Sequence, residues 1–599
     1  MARRRLLVAI VPLAAALHAI GMARAVLPAQ DGLKFIRIAR EFQTRPWIDV
    51  VRGADQHPLY PALVAVAEPV VSAFLGKGPE AWRVAAQSVS ATAAVALLFP
   101  LFGLTRVLFD ERIATLAVVI YVLLPLPSAV GHDTLSDSLA LLGFVAALRL
   151  GEMALHSRGW HASVACGLVA GLGFLARPEV LVAPAAVFLV SVMQWRHPSL
   201  DEPPVAPRRQ RTSRFIWRLP DFYRAISFSK PEPHTRPSGT LFRGEKGLGE
   251  GRFGERNGPA DFYLPIPPRA VGKLAALAIP FLATVGGYAL IKGEVSEKLA
   301  LRQGVGQAAR APTIRPGGHP LPAGLDNPCW DFSPKEESEE PSSSSSGSAL
   351  RLLVWQWAEG LAGVFAFFAA WGFVRDRFIR GLLNDGEDPA RARRWSGGRR
   401  LIAAYLVLFA AVLVRHAMRM GYVSGRHTLT LVIVSVPWAA AGIWVCARRL
   451  AEKRGWSDRL ARTIGASALA GSICVGVAFQ VRPGHPSRWG HWAAGRWLRT
   501  HSAPGDAVLD TRGWGAFVSG RPSYDYWHVR QAFTDSRLAY IVVGTDELEA
   551  SSRRGATLRA VLAYAATPCA EFPERPGESE VGVRVYRYRR PDSWEGLSP

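Results

Sequence analysis

Acidic residues are scarce in this chain: 48 Asp and Glu stand against 71 Lys and Arg over 599 residues, a formal net charge of +23. Cysteine is scarcer still, at five. Five thiols over such a length exclude the disulfide framework of a small secreted fold. Cys166, Cys446 and Cys474 fall in or beside apolar runs, where a thiol behaves as a small hydrophobe. Cys329 and Cys569 lie outside those runs and are the one pair that could bridge. No GxxxxGK[ST] pattern occurs, so there is no Walker-type phosphate loop. The formal GxGxxG match from Gly249 to Gly254 follows no apolar strand and opens no helical pattern, which excludes a dinucleotide site.

What the chain has in abundance is apolar sequence: 49% of its residues are hydrophobic and the mean hydropathy is +0.12. A bilayer crossing takes about 20 apolar residues. Apolar segments recur at 6–25, 82–108, 112–130, 138–155, 162–176, 180–194, 271–291, 350–373, 401–416, 428–447 and 462–481. They predict a polytopic α-helical membrane protein of about eleven spans. Pro58–Leu75 is also apolar, but Pro58, Pro61, Pro69 and Glu68 interrupt it, so it reads as an interfacial or re-entrant helix. The N-terminal Arg3-Arg4-Arg5 and its apolar run read as a first span rather than a cleaved leader, because the chain continues directly into an acidic loop.

Basic residues concentrate between the apolar segments, as the positive-inside rule requires and as a nucleic-acid footprint does not. The loop charges place the N-terminus in the cytoplasm, the C-terminus outside, and the protein in the cell (inner) membrane as a multi-pass chain. Residues 415–427 break the rule: Arg415, His416, Arg419, Arg426 and His427 fall outside, which points to an anion site at the outer surface. Residues 195–270 form a basic cytoplasmic loop, and 292–349 an outer loop with a solvated acidic and serine run, both read as unstructured at least in part.

The membrane domain therefore spans 1–481, with an outer loop and interfacial helices at 27–80. From 482 to 599 short alternating runs, such as Ala539–Val543 and Val581–Tyr586, predict a small extracytoplasmic α/β domain. Its Trp514, Tyr524, Tyr526 and Trp527 are either core or a platform for sugar rings.

Chemistry concentrates on the outer loops. Asp31 follows the first span and could serve as a general base or as the N-cap of an amphipathic helix over Leu33–Phe42. Asp55, Gln56 and His57 precede Pro58. Asp55 and His57 could begin a divalent-metal site, though two ligands do not complete one. Asp133 and Asp137 are spaced to share one helix face, which calls for a cation, a basic ligand or a shared proton. Arg177 could pair with Glu179, with Asp137 or with a phosphate. A carboxylate base beside a cationic cradle suits transfer from a phosphate leaving group.

These residues resemble the membrane-embedded GT-C glycosyltransferases, near the dolichyl-phosphate-mannose protein mannosyltransferases and the aminoarabinose transferases. The resemblance rests on Asp31 after the first span, His57-Pro58-Leu59-Tyr60-Pro61, Leu135-Ser136-Asp137-Ser138-Leu139, Gly171 through Pro178, and Tyr422 through His427. It implies an integral membrane glycosyltransferase that moves a sugar, with inversion, from a polyprenyl-phosphate-linked donor to a hydroxyl of a lipid, glycan or protein acceptor at the outer face. Asp31 would be the catalytic carboxylate, with Asp137 or Asp133 as second acid. Gln56, His57, Tyr60, Arg177, Arg426 and His427 would contact the donor and its phosphate. Some relatives carry an acidic pair after the first span, where this chain has Asp31-Gly32, and that leaves metal use open.

Two other readings compete. A transporter or flippase of polyprenyl-linked glycans would show internal repeats and charges near the bilayer midplane, and neither is visible. A non-catalytic scaffold would leave Asp31 without a role.

Overall fold

In hydrocarbon every backbone N–H and C=O must be satisfied within its own segment, so the long apolar runs have little choice but to be helical. A computed structural model of the chain describes residues 2–157, 159–196, 268–293, 295, 346–375, 389–480 and 485–591. Most of the 195–270 and 292–349 loops lies outside the described residues, together with Cys329 and the Gly249–Gly254 motif.

Among the described residues six helices are long and apolar enough to cross a bilayer, or eight if each of two bent pairs counts as one span. The helices run α1 (Ala2–Arg24), α2 (Gln30–Thr44), α3 (Trp47–Gly53), α4 (Leu59–Leu75), α5 (Pro79–Ala96), α6 (Leu98–Leu108), α7 (Glu111–Leu123), α8 (Pro125–His132), α9 (Asp137–His156) and α10 (His161–Phe174). They continue with α11 (Val182–Arg196), α12 (Pro268–Lys292), α13 (Ser346–Gly360), α14 (Val364–Val374), α15 (Pro389–Met420), α16 (Gly425–Lys453) and α17 (Asp458–Gln480). Each of the eleven apolar segments falls on these helices. The α7–α8 pair bends by 63° and the α13–α14 pair by 110°, so a uniform set of straight crossings is not what forms. Pro125 opens α8 and has no N–H to continue α7, which accounts for the first bend.

The core runs along α5 to α9 and α16. Leu97, Leu98, Leu101, Leu104 and Leu108 are buried against Ile113, Ala117 and Val118 of α7. The interrupted segment after Pro58 is the 17-residue helix α4, which buries Tyr60, Val64 and Glu68 and exposes Val66, Val70 and Phe74.

Beyond α17 the chain builds a five-stranded mixed sheet in the order β2-β1-β3-β5-β4. Its strands are β1 (Ala507–Asp510), β2 (Ser523–Tyr524), β3 (Leu538–Gly544), β4 (Ala566–Pro573) and β5 (Val581–Tyr588). β1 pairs in parallel with β2 and β3, while β5 runs antiparallel between β3 and β4. Among the described residues these aromatics form no exposed platform. Trp514 is buried, Tyr526 belongs to the core under Arg554, and the Tyr524 hydroxyl donates to Asp535 at 2.7 Å. The Trp527 side chain is outside the described residues.

This domain is fastened to the start of α2. Trp514 Nε1 donates to the Pro28 carbonyl at 2.9 Å. Arg488 reaches the carbonyls of Leu27 and Pro28 at 3.2 and 3.1 Å, and its guanidinium lies over the Trp514 ring. Leu27, Trp514 and Val518 close a small apolar cluster at the junction.

Candidate active site

Where the helices meet this junction a cavity of about 280 Å³ opens. Five separate stretches supply its walls: the first turn of α2, the turn before α4, the turn before α9, the α10–α11 connection and the α15–α16 connection.

Asp31 lies in the first turn of α2, where the helix N-terminus favours a negative charge. It is not the N-cap that the sequence suggested. Ala29 holds that position, and its backbone N–H donates to Asp133 Oδ1 at 2.9 Å and to Thr134 Oγ1 at 3.0 Å. Gly32 explains the missing second acid. A Cβ there would lie 1.7 Å from Thr134 Oγ1 and 2.8 Å from the Thr134 carbonyl, so only glycine fits.

Asp133 and Asp137 do not share a helix face. α8 ends at His132, Asp133 is its extended C-cap, and α9 begins only at Asp137. Asp133 faces the 27–29 segment and accepts from Ala29 and Thr134, with His485 and Arg488 each 3.8 Å away. It lies apart from the residues that line the cavity and works as a staple under the C-terminal sheet domain. Burial, and then the nearby Arg488, hold the His485 imidazole below its ordinary range.

Asp137 is almost fully buried and meets two guanidinium groups. Arg177 Nη1 lies 2.9 Å from Oδ1, and Arg426 Nη2 lies 2.8 Å from Oδ2. Arg426 Nη1 also donates to Asp31 Oδ2 at 2.9 Å, so one arginine bridges both acids. Asp31 keeps about half of its side chain exposed (49%), whereas Asp137 keeps 2%. Charge-assisted pairs of this kind are strong, and the buried member depends on them. Arg177 Nε donates to Ser136 Oγ at 3.3 Å, so Ser136 and Asp137 engage its Nε and Nη1. The Arg177–Glu179 pair weighed above does not form.

The basic stretch at 415–427 is two helix ends rather than a loop. α15 continues to Met420, Gly421 turns the chain with φ of +72°, and Ser424 caps α16. Ser424 N–H donates to His427 Nδ1 at 3.2 Å, closing a capping box. His416, Tyr422 and His427 form an aromatic cluster with ring centroids 4.8 to 6.1 Å apart.

Gln56 and His57 line the cavity. The His57 ring stacks on Tyr288 of α12 at 5.4 Å and meets Phe174 edge-on. Tyr60 corrects the expectation of a donor contact. It is fully buried between α4 and α5, and its hydroxyl donates to the Ala86 carbonyl at 2.8 Å. Its apolar neighbours Leu59, Ala62, Leu63 and Val64 were the signal for a core position. Asp55 faces Arg37 at 3.5 Å, apart from His57. Among the described residues no group of three or more His, Cys, Asp or Glu is assembled to hold a metal ion. Ser136, Glu179 and Ser424 line the cavity although the sequence reading gave them no role there.

Comparisons with known proteins fit this architecture. Residues 71–205 match the family model described as dolichyl-phosphate-mannose-protein mannosyltransferase, a stretch that holds Asp133, Asp137 and Arg177. No curated protein matches the chain. Among solved structures, ArnT from Cupriavidus metallidurans in the apo state superposes with a TM-score of 0.52 at 11% identity, covering 100% of both chains. The same protein bound to undecaprenyl phosphate gives 0.46 at 11% identity over 99% of each chain. The oligosaccharyltransferase AglB from Archaeoglobus fulgidus gives 0.48 at 13% identity, over 94% of this chain and 72% of that one. The chain shares the fold of ArnT. Its segment 71–205 matches the protein-mannosyltransferase model, and its whole length is similar in fold to ArnT.

Proposed function

We propose that the protein transfers a sugar from a polyprenyl-phosphate-linked donor to an acceptor hydroxyl, with inversion, at the extracytoplasmic face of the membrane. One observation carries the reading: Asp31, Arg426, Asp137 and Arg177 form a continuous chain of charge at one cavity. The matched family's description, a transferase using dolichyl-phosphate-mannose, supports the donor class.

Asp31 is the only one of the two linked acids with substantial exposure, so it is the one an acceptor can reach. Its carboxylate takes the proton of the attacking hydroxyl. The acceptor oxygen bonds to the anomeric carbon from the face opposite the phosphate, and the bond from that carbon to the phosphate oxygen breaks. The electron pair leaves with the polyprenyl phosphate. Arg426 and Arg177 stabilise the charge that develops there. Arg426 Nε is buried and meets no acceptor among the described residues, a donor that a phosphate oxygen can use. Asp137 keeps both guanidinium groups in place. The residues at Asp55 and His57 do not fit a divalent-ion site, and no step is routed through one.

The test compares wild type with Asp31→Asn in mild detergent, identifying co-purified lipids by native mass spectrometry. The variant is expected to retain a glycosylated polyprenyl phosphate and to lose transfer by about 10²- to 10⁴-fold, the usual share of a general base. Bulk phospholipid alone in both proteins would overturn the proposal and move weight to a scaffold. A glycan-lipid carried equally by both, with no transfer in either, would favour a flippase.

A further inference from the structure

Glu179 is the acid of this cavity that the mechanism above does not use. It sits in the short turn Pro178–Leu181 between α10 and α11, and it lines the same wall as Arg177. The two do not pair: Arg177 directs its Nη1 to Asp137 and its Nε to Ser136. Oε2 of Glu179 is buried and accepts no hydrogen bond from any described residue. A buried carboxylate oxygen without a donor is costly, and proteins seldom retain one without a reason. Its surroundings offer no full partner. His427 is engaged through Nδ1 with Ser424, and Glu179 acts on His416 and His427 only through its charge.

The orphan oxygen therefore calls for a hydrogen-bond donor delivered by the ligand. The phosphate of the donor lipid has none to give. Arginine already serves the phosphate, and a second carboxylate beside it would repel it. The sugar is rich in donors, since every hydroxyl carries one. Building on the transferase reading, we infer that Glu179 is a specificity-determining residue that accepts hydrogen bonds from hydroxyls of the transferred sugar. The phosphate is then held by the arginine side of the cavity and the sugar by the glutamate side. A site built around such an acceptor discriminates strongly against a ligand that leaves it unfilled.

The experiment measures binding of short-chain polyprenyl phosphate, bare and as its mannosyl, glucosyl, galactosyl and arabinofuranosyl esters, to wild type, Glu179→Gln and Glu179→Ala. Wild type is expected to prefer at least one glycosyl ester over the bare lipid. Both variants should weaken that ester by roughly ten- to a hundredfold, the loss expected from removing one charged acceptor. Affinity for the bare lipid should stay within about twofold of wild type. The melting temperature should not fall, because the buried Oε2 that the substitution removes accepts no hydrogen bond from the described residues. An equal loss for bare and glycosylated lipid would overturn the inference and make Glu179 part of the phosphate or folding machinery. Unchanged binding of every ester would overturn it too, as would a wild type with no preference for any ester. If wild type fails to bind even the bare lipid, the transferase reading itself fails, and the inference with it.

Discussion

Two buried carboxylates in this molecule have opposite kinds of surroundings. Asp510, at the end of β1 in the C-terminal sheet domain, is fully buried and accepts from the backbone N–H groups of Arg512, Gly513 and Ala516 at 2.9 to 3.0 Å. Burial raises its pKa, and those backbone donors oppose the rise. Everything that satisfies it comes from its own turn. Asp137 is satisfied by two arginine side chains, one 40 residues along the chain and the other 289. Backbone donors are fixed once a turn has formed, whereas guanidinium groups can exchange one anion for another. The first arrangement suits a structural part, the second a site that must accept a ligand.

Substitution can break the comparison most directly at these two acids. Asp137→Asn should cost about 3–5 kcal/mol of stability, because two guanidinium groups are left facing each other in a buried place. Asp510→Asn should cost about 1–3 kcal/mol. Thermal unfolding of the full chain reads both. What separates them is the protein that remains folded: Asp510→Asn should transfer at close to the wild-type rate, Asp137→Asn should not. Equal activity losses would show that the two environments do not differ in function.

Gly32→Ala is a smaller perturbation of the Asp31 side of the network. The added methyl would overlap Thr134 and force the first turn of α2 to move, at about 1–3 kcal/mol. Thr134→Ser does not clear the overlap, because Oγ and the carbonyl remain. Thr134→Gly removes the nearest atom and should recover part of the loss when combined with Gly32→Ala. A double-mutant cycle measures that coupling.

The smallest effect sharpens the sheet-domain half of the comparison. His491 is buried against Trp514, and burial, aided by Arg512, lowers its pKa to about 3. Its folded pKa lies below the unfolded value near 6.5, so the unfolded chain takes up a proton that the folded chain refuses. The contribution is intact above pH 6.5 and is lost as pH falls from there toward 3. Lowering pH from 7.5 to 5.5 should therefore cost about 1.4 kcal/mol in wild type. His491→Phe should lose correspondingly less over the same step, as read by urea unfolding of the full chain.

Much of the frame was legible in the residues. Apolar runs dictate helices wherever water is excluded, and the short runs from Ala507, Ala539 and Val581 fall on β1, β3 and β5. β4 hid because Pro568 and Pro573 interrupt it, and both are tolerated on an edge strand. At the site, the residue types were readable but their pairings were not. Asp133 and Asp137 look like one helical face until Pro125 bends the preceding span and the chain breaks at Asp133 to Ser136. Arg177 chose Asp137 over the adjacent Glu179, a choice made by the packing of α9 against α10 and visible only in three dimensions.

The fastening of the C-terminal sheet domain to Leu27 and Pro28 bears on how such chains can be recombined. Two residues beyond those carbonyls α2 begins, and its second residue is Asp31. A soluble domain borrowed from another chain could not simply be appended to these membrane helices. It would have to bring a donor for each of two carbonyls and an apolar face for Leu27, or the entry of α2 would be left unsupported. The two halves therefore fit as a matched pair, and a change at either side of the junction is felt by the other.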